Sequence, residues 1–149
     1  MDFYIVIPCY NESQHIGKTL TSLCEQSLLP RKVVVVNDNS TDDSAEIVSA
    51  FAKSHTFIKL IHTTTQGQHE PGSKVIRAFQ QGLKTLDEDY DILCKFDADL
   101  IFPKDYLETI ASHGAATSGD YLHVETSRQR RRFTTASTPK DSHQGSTRR

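Results

Sequence analysis

The sequence predicts an α/β domain with a mostly parallel β-sheet over residues 1–112, followed by a tail. Short β-branched runs alternate with segments whose apolar residues recur at helical spacing. Four consecutive valines at 33–36 are typical of a strand covered on both faces. Of the 149 residues, 36% are hydrophobic and 24% are charged, which suits one soluble domain. Such alternation implies parallel strands, right-handed crossovers and helices on both faces of the sheet.

The first two strand–helix units are predicted over residues 3–52. Residues 3–7 form a strand that Pro8 closes, and residues 32–37 form a second strand. Between them a helix begins near Ser13 and ends before Pro30, with a buried stripe of Ile16, Leu20, Leu23 and Ser27. Ser40 or Thr41 caps the next helix, with two aspartates in its first turn. Its buried stripe is Ala45, Val48, Phe51 and Ala52.

The second half of the domain continues the same alternation. Residues 57–62 and 91–96 are predicted strands, separated by a polar loop at 63–72 and a helix from Ser73 or Lys74 to Leu86. Residues facing the core from that helix are Val75, Phe79, Leu83 and Leu86. Pro103 suits the first turn of a last helix, with Tyr106, Leu107 and Ile110 facing inward. The resulting architecture is Rossmann-like.

Residues 113–149 differ in composition from the rest of the chain. From residue 111 onward the sequence has 7 Lys and Arg against 3 Asp and Glu, and few aliphatic residues. Such a segment buries too little apolar surface to offset its ordering entropy, so we predict a disordered basic tail. A basic arm that contacts phosphates or a membrane surface is the alternative. The abrupt shift suggests a truncated or frame-shifted product as the origin of this tail.

Charge and cysteine content exclude several classes of protein. The net charge of −2 gives no basic field for a nucleic-acid backbone, so no nucleic-acid partner is expected. No apolar run is long enough for a transmembrane segment, and no signal peptide is evident. Three cysteines without metal or redox spacing suit a reducing compartment. The expected location is the cytoplasm, with peripheral attachment at the inner membrane face as an alternative.

Polar residues follow three predicted strands, at the edge where parallel sheets bind ligands. After the fourth strand come Asp97 and Asp99, whose carboxylates can point the same way. Two such carboxylates repel unless a cation lies beside them, and Mg²⁺ or Mn²⁺ prefers oxygen ligands. The alternative is a turn with a helix cap. Because the other two polar clusters should share this edge, we predict a divalent metal site.

The other candidate residues suit the recognition of a nucleotide. Asp38 lies at a rigid strand end, where it could accept a hydrogen bond from a planar base, or form an Asx turn. Tyr10 could stack on a base or cover the sheet edge. Glu12 could contact the nucleoside or favour a helix N-terminus. Lys74 could balance a diphosphate or be a solvated lysine. Cys9 is expected to be a small apolar filler rather than a nucleophile.

Three segments together resemble family 2 glycosyltransferases, which have the GT-A fold. They are Ile7-Pro8-Cys9-Tyr10-Asn11-Glu12, then Val35 to Asp42, and Lys95-Phe96-Asp97-Ala98-Asp99. The helix from Lys74 to Leu83 matches more loosely. The resemblance covers about residues 2–110 and implies the nucleotide-sugar-binding half of such an enzyme. It implies a UDP- or GDP-sugar donor held by Pro8, Tyr10, Glu12, Asp38, Lys74 and Asp97, with Asp99 and Asp97 on the metal.

The chemistry implied by the resemblance is metal-assisted glycosyl transfer to an acceptor hydroxyl, with inversion. Asp38 would read the base, Asp97 the ribose side, and Asp99 the metal. Asn37 and Asn39 stand where the family usually shows an acidic residue and glycine. The family's catalytic carboxylate should follow residue 112, and the tail shows none, so the catalytic residue is unknown. The acceptor, a glycan, lipid or protein, is also unknown.

Other functions remain open from the sequence. The main alternative is a truncated, non-catalytic nucleotide-binding remnant. A sugar-nucleotide pyrophosphorylase would need a glycine-rich loop after the first strand, which Cys9 to Glu12 does not provide. A phosphate-accepting acidic pocket like that of response regulators would use Asp38 or Asp97.

Overall fold

A computed structural model of the protein describes residues 1–63 and 73–113, together with the backbone of 123–126. Strands and helices alternate along the described chain, as the sequence predicts. The elements are β1 (Phe3–Cys9), α1 (Ile16–Cys24), β2 (Lys32–Asp38), α2 (Ser44–Ser54), β3 (Ile58–Thr63), α3 (Ser73–Lys84), β4 (Ile92–Lys95), α4 (Tyr106–His113) and β5 (His123–Thr126).

The strands form one sheet in the order β3-β2-β1-β4-β5. The pairs β1–β2, β1–β4 and β2–β3 are parallel, and β5 is antiparallel to β4. The predicted mostly parallel α/β architecture is therefore confirmed. This order places the carboxyl ends of β1, β2 and β4 side by side at one edge, and each of these ends carries a polar cluster.

Helices cover both faces of the sheet, because β1 and β2 alternate their apolar side chains between two cores. One core joins Phe3, Ile5 and Ile7 of β1 to α1, α2 and α4. The other joins Tyr4 and Val6 to α3. These five β1 side chains, Phe3 to Ile7, are fully buried. Because the sheet is buried on both faces, its strand ends are firmly held, and the loops that follow them start from fixed positions.

Helix boundaries differ from the predictions by a few residues, since α1 begins at Ile16 and α3 ends at Lys84, and two further differences change a predicted position. Helix α1 ends at Cys24, so Ser27 lies beyond it and is exposed rather than on the buried stripe. Helix α2 begins at Ser44 rather than directly after Ser40 or Thr41, so Asp42 precedes the first turn. The reason is that the Asp42 carboxylate accepts the Ser44 N–H at 3.0 Å and ends the preceding loop there.

The prediction that Val75 faces the core is wrong, since it is 43% exposed. Helix α3 packs on the sheet through small residues, and Ala78 and Gly82 are its buried positions. A Cβ on Gly82 would lie 2.5 Å from Val6 Cγ1 and 2.9 Å from Val36 Cγ2. The helix therefore approaches the sheet closely at Gly82, while Val75, in the first turn, lies at the sheet's edge.

The predicted disordered tail falls mostly outside the described residues, as does the polar loop at 64–72. Within the tail the structure describes β5, to which the sequence analysis assigned no strand. Its pairing aligns Glu125 with Leu93 and Val124 with Cys94. β5 thus covers the β4 side of the sheet. Across the described ranges no helix is long and apolar enough to cross a membrane.

Candidate functional site

A cleft of about 420 Å³ opens at the carboxyl edge of the sheet. The seven site residues predicted from the sequence all line this cleft, which brings together residues from three strand ends and the start of α3. Its lining residues are Pro8, Cys9, Tyr10, Glu12, Asp38, Lys74, Val75, Ala78, Asp97, Ala98 and Asp99. The structure thus places the predicted residues in one site, and their individual roles remain predictions.

Asp38 is held rigidly at the end of β2. The five residues before it, 33–37, are buried, and Asp38 itself is only 7% exposed. The next residue, Asn39, has a φ of 61°, in the left-handed region that asparagine and glycine tolerate best. The strand ends at Asp38, directly before this left-handed residue. A carboxylate fixed in this way can accept a hydrogen bond at little entropic cost.

The turn after β4 is anchored between its two aspartates. Ala98 is buried, and its carbonyl oxygen accepts a hydrogen bond from Thr19 Oγ1 of α1 at 2.9 Å. Asp97 Oδ1 lies 3.0 Å from Lys95 Nζ. Asp99 is exposed toward the cleft mouth. The anchored Ala98 therefore fixes the backbone that carries both carboxylates, while leaving Asp99 accessible to a ligand.

Negative charge converges in the cleft, as the pKa of Glu12 indicates. The pKa of this carboxyl is raised, first by partial burial and then by the charge of Asp99, with smaller contributions from Asp42 and Asp97. A cation entering the cleft would relieve this repulsion. Among the described side chains no group of three or more metal-ligating residues occurs. The two aspartates suit Mg²⁺ or Mn²⁺, which commonly takes one or two carboxylates and completes its shell with water and phosphate oxygens.

Lys74, from α3, and Tyr10, from the loop after β1, both line the cleft. Lys74 lies in the first turn of α3 with an exposed side chain, and it is the cleft's one cationic lining residue within the described part of the chain. Tyr10 is 60% exposed. An exposed aromatic ring can stack on a planar ligand, and an ammonium group can neutralise a phosphate.

Cys9 lies in the cleft wall as a buried residue, as the sequence predicts. Its side chain is 2% exposed, and burial raises the pKa of the thiol to about 11. The thiol is therefore neutral near pH 7. A neutral, buried thiol is a poor nucleophile, so the structure supports a packing role for Cys9.

Hydrogen bonds join the loop after β1 to the loop after β2, and the sequence analysis missed them. We call this set of contacts the loop clasp. The consecutive N–H groups of Asn11, Glu12 and Ser13 donate to the side chains of Ser40, Ser44 and Asp42 at 3.0, 2.9 and 3.0 Å, respectively. Thr41 N–H donates in return to Asn11 Oδ1 at 2.8 Å. The clasp therefore connects the loop that carries Tyr10 and Glu12 to the loop that follows Asp38.

Comparison with known proteins decides the family. The model of glycosyl transferase family 2 matches residues 4–118. The chain belongs to glycosyl transferase family 2. The match includes all three strand ends that form the cleft, and it confirms the resemblance found in the sequence.

Relatives similar to this chain in sequence include poly-β-1,6-N-acetyl-D-glucosamine synthases of two staphylococci. A poly-β-1,6-N-acetyl-D-glucosamine synthase of Staphylococcus epidermidis is 29% identical over 100 residues, which cover 67% of this chain and 22% of the synthase. Its Staphylococcus aureus counterpart matches equally, at 29% identity. The chain thus spans between a fifth and a quarter of the length of these relatives.

Solved structures with the same fold contain donor nucleotides. S. aureus TarS residues 1–349, in complex with UDP-GlcNAc, is 27% identical with a TM-score of 0.61, over 75% of this chain and 30% of that one. A mannosyltransferase of Pyrobaculum calidifontis, in complex with GDP-Man and Mn²⁺, is 27% identical with a TM-score of 0.59, over 73% and 31% of the two chains. Both neighbours therefore share the described fold of this chain.

Proposed function

We propose that the cleft binds the nucleotide-sugar donor of a glycosyl-transfer reaction. The observation that carries the proposal is that Asp38, Lys74, Asp97 and Asp99 all line one cleft at the carboxyl edge of the sheet. A nucleoside diphosphate needs a hydrogen-bonding partner for its base, charge compensation for its phosphates and oxygen ligands for its cation. These four residues supply the three requirements, and the neighbours solved with UDP-GlcNAc and GDP-Man make both donor types reasonable candidates.

Each of the seven predicted site residues has a role in this proposal. Asp38 accepts a hydrogen bond from the base N–H, since its carboxylate is fixed at a buried strand end. Tyr10 and Pro8 form the apolar wall on which the base lies. Asp97 contacts the ribose side, and Glu12 contacts the nucleoside. Lys74 faces the diphosphate.

Asp99, together with Asp97, would hold a divalent cation, Mn²⁺ or Mg²⁺. The pKa of Glu12 is raised first by burial and then by the charge of Asp99, while His15 lowers it, and the contribution of Asp99 supports this assignment. When bound, such a cation supplies charge compensation for the diphosphate leaving group. The protein's own contribution is to hold the two carboxylates on the turn that Thr19 anchors.

Transfer to an acceptor also needs a base for the acceptor hydroxyl. The four carboxylates that line the described cleft, Glu12, Asp38, Asp97 and Asp99, are all assigned to the donor. This distribution favours a second candidate, in which the chain binds nucleotide without catalysing transfer. Inversion at the sugar carbon, the glycan, lipid or protein acceptor, and a location in the cytoplasm or at the inner membrane face remain proposals from the family resemblance.

Calorimetric titration of UDP and GDP, with Mn²⁺ or with EDTA, tests the donor site. We expect Mn²⁺ to strengthen binding of one nucleotide at least about tenfold, equivalent to about 1.4 kcal/mol. The Asp99→Asn variant should lose this enhancement while retaining the metal-free affinity. The Asp38→Asn variant should weaken binding under both conditions, because a neutral amide oxygen accepts a hydrogen bond from the base less strongly than a carboxylate does.

The matched control is Asp105→Asn, an exposed aspartate on the same β4–α4 connection that does not line the cleft. It should bind like the unmodified protein. If neither nucleotide binds in the presence of Mn²⁺, the proposed function is wrong. If Asp99→Asn keeps the full Mn²⁺ enhancement, the cation is held elsewhere.

A further inference from the structure

We propose that Asn11 and Ser40 are positioning residues that set the spacing between the two walls of the donor cleft. The inference rests on the proposed function, because it concerns how the nucleotide site is held in shape. Neither side chain lines the cleft. Both belong to the loop clasp, which joins the Tyr10–Glu12 wall to the end of β2 at Asp38.

The clasp is built from contacts that no strand or helix supplies. Beyond the end of β1, the N–H groups of Asn11, Glu12 and Ser13 have no strand partner, and each is satisfied by a side chain from the segment between β2 and α2 or from the first residue of α2. In the opposite direction, the Asn11 Oδ1 accepts a hydrogen bond from the Thr41 N–H. The two loops therefore hold each other in both directions, across about thirty positions of sequence.

The backbone at the clasp requires particular residue types. Asn11 has a φ of 48° and Asn39 a φ of 61°, both in the left-handed region. Both residues lie in the loops that the clasp joins, where Asn11 N–H donates to Ser40 Oγ at 3.0 Å. Asparagine is one of the few residues other than glycine that tolerates this backbone conformation. A substitution at position 11 can therefore remove the side-chain acceptor while keeping the left-handed backbone conformation.

Asn37 extends the same network into the sheet. Its Oδ1 accepts the Ser40 N–H at 3.2 Å, and its Nδ2 lies 3.1 Å from His62 Nδ1 of β3. Ser40 is therefore fixed from both sides, by Asn37 behind it and by Asn11 in front. The position of Tyr10 and Glu12 relative to Asp38 follows from this chain of contacts. A site whose walls are already fixed avoids the entropic cost of ordering them when ligand binds.

Substitutions on either side of the clasp give the test. Asn11→Gly keeps the left-handed backbone and removes the acceptor for Thr41 N–H. Ser40→Ala removes the acceptor for Asn11 N–H, and Ser40→Thr retains a hydroxyl. UDP or GDP is titrated with Mn²⁺ at a temperature where circular dichroism shows that every variant is folded. Asn11→Gly and Ser40→Ala should each bind the nucleotide about fivefold more weakly, which is the effect of losing one neutral hydrogen bond. Ser40→Thr should restore most of the affinity.

A double variant separates positioning from general loss of stability. If Asn11 acts through the wall that Asp38 forms, Asn11→Gly should weaken binding much less in an Asp38→Asn background than in the unmodified chain. Gln26→Ala is the control for stability. Gln26 is a buried side chain that donates to Pro103 O at 2.6 Å and accepts from Leu107 N–H at 3.0 Å, away from the cleft. Gln26→Ala should lower the unfolding midpoint and leave nucleotide affinity unchanged.

Amide hydrogen exchange provides a measurement that needs no ligand. The N–H groups of residues 11–13 and 41 should be protected in the unmodified chain, and Asn11→Gly should remove the protection of Thr41. Unprotected amides in the unmodified chain, or equal nucleotide affinity in Asn11→Gly and the unmodified chain, would overturn the positioning role. If the clasp amides are protected but the unmodified chain binds no nucleotide, the proposed function is wrong, and so is the positioning role that depends on it.

Discussion

Asp42 satisfies two backbone donors at once, one from the loop after β1 and one from the first residue of α2. Its Oδ2 accepts the Ser13 N–H, and its Oδ1 accepts the Ser44 N–H, both at 3.0 Å. Hydrogen bonding to Ser44 and Ser13 lowers the pKa of this carboxyl from 3.8 to about 2. The charged form is therefore favoured in the folded state, and the clasp should persist under conditions that protonate an ordinary aspartate.

The shifted pKa of Asp42 predicts a specific acid response. Because the pKa is lower in the folded chain, Asp42 contributes stability above pH 4 that disappears as the pH falls from about 4 to about 2. The Asp42→Asn variant should lack this contribution. Urea unfolding from pH 6 to pH 2 should show a lower midpoint for the variant at pH 6, with the two proteins converging at the acid end.

Asp87 provides the comparison for this measurement. Lys32 and Tyr4 also lower the pKa of Asp87, so an Asp87→Asn variant should likewise flatten the acid profile. Asp87 lies outside the cleft lining, so its variant should leave the protection of the clasp amides unchanged. A constant difference in midpoint between the Asp42→Asn variant and the unmodified chain at every pH would contradict the charge argument.

Sequence reasoning at single residues succeeded where the signal was local. Asp38, Asp97 and Asp99 could be assigned to one edge because each follows an apolar strand, and parallel strands end together. The clasp could not be found in this way. Ser40 and Ser44 are ordinary loop and helix residues in sequence, and their partners lie about thirty positions earlier. Contacts of that kind depend on the packed loops and leave no pattern in one sequence.

At the scale of elements, two glycines inside helices differ in what surrounds them. Gly82 of α3 faces Val6 and Val36 so closely that a Cβ would approach them to 2.5 and 2.9 Å. Gly17 of α1 has Ile47 Cγ2 at 3.6 Å as its nearest neighbour, an ordinary contact distance. The same substitution should therefore have opposite effects at the two positions.

Gly82→Ala should destabilise the chain by about 1–3 kcal/mol, because α3 must shift away from the sheet. Gly17→Ala should stabilise it by about 0.5–1 kcal/mol, because alanine restricts the unfolded chain and fits the helix. Urea unfolding of the two variants measures both effects. Equal stabilisation by the two substitutions would show that α3 does not approach the sheet as described.

Each error in element prediction has a physical reason. Helical periodicity assigned Val75 to the core because it lies on the stripe of Phe79 and Leu83. Periodicity gives the face of a helix but not where the sheet beneath it ends. At the first turn of α3 that face borders the cleft, so Val75 lines the site and is partly exposed. The helix cap predicted at Ser40 or Thr41 has a different reason for its error. Asp42 accepts hydrogen bonds from the Ser44 N–H of α2 and from the Ser13 N–H of the neighbouring loop, and sequence spacing did not indicate this double role.

For the whole molecule, the sheet order explains why one cleft collects every donor-binding candidate. With β2, β1 and β4 adjacent and parallel, the segments after residues 9, 38 and 95 must meet at one edge. The sequence predicted the alternation but not this order, since periodicity does not specify which strands are neighbours. β5 adds an antiparallel strand beside β4 from a segment whose composition gave no strand signal.

If the cleft binds the donor as proposed, donor binding and sugar transfer can be tested separately in this chain. Binding needs only the strand ends that form the cleft, whereas transfer needs a base beyond the four carboxylates assigned to the donor. We expect UDP-GlcNAc or GDP-Man to bind with Mn²⁺, while release of UDP or GDP, with water as the acceptor, stays near the rate without protein. A coupled assay for nucleotide release, run beside calorimetry on the same preparation, measures both quantities. Sustained release that Asp99→Asn abolishes would show that a base for the acceptor is present in this chain.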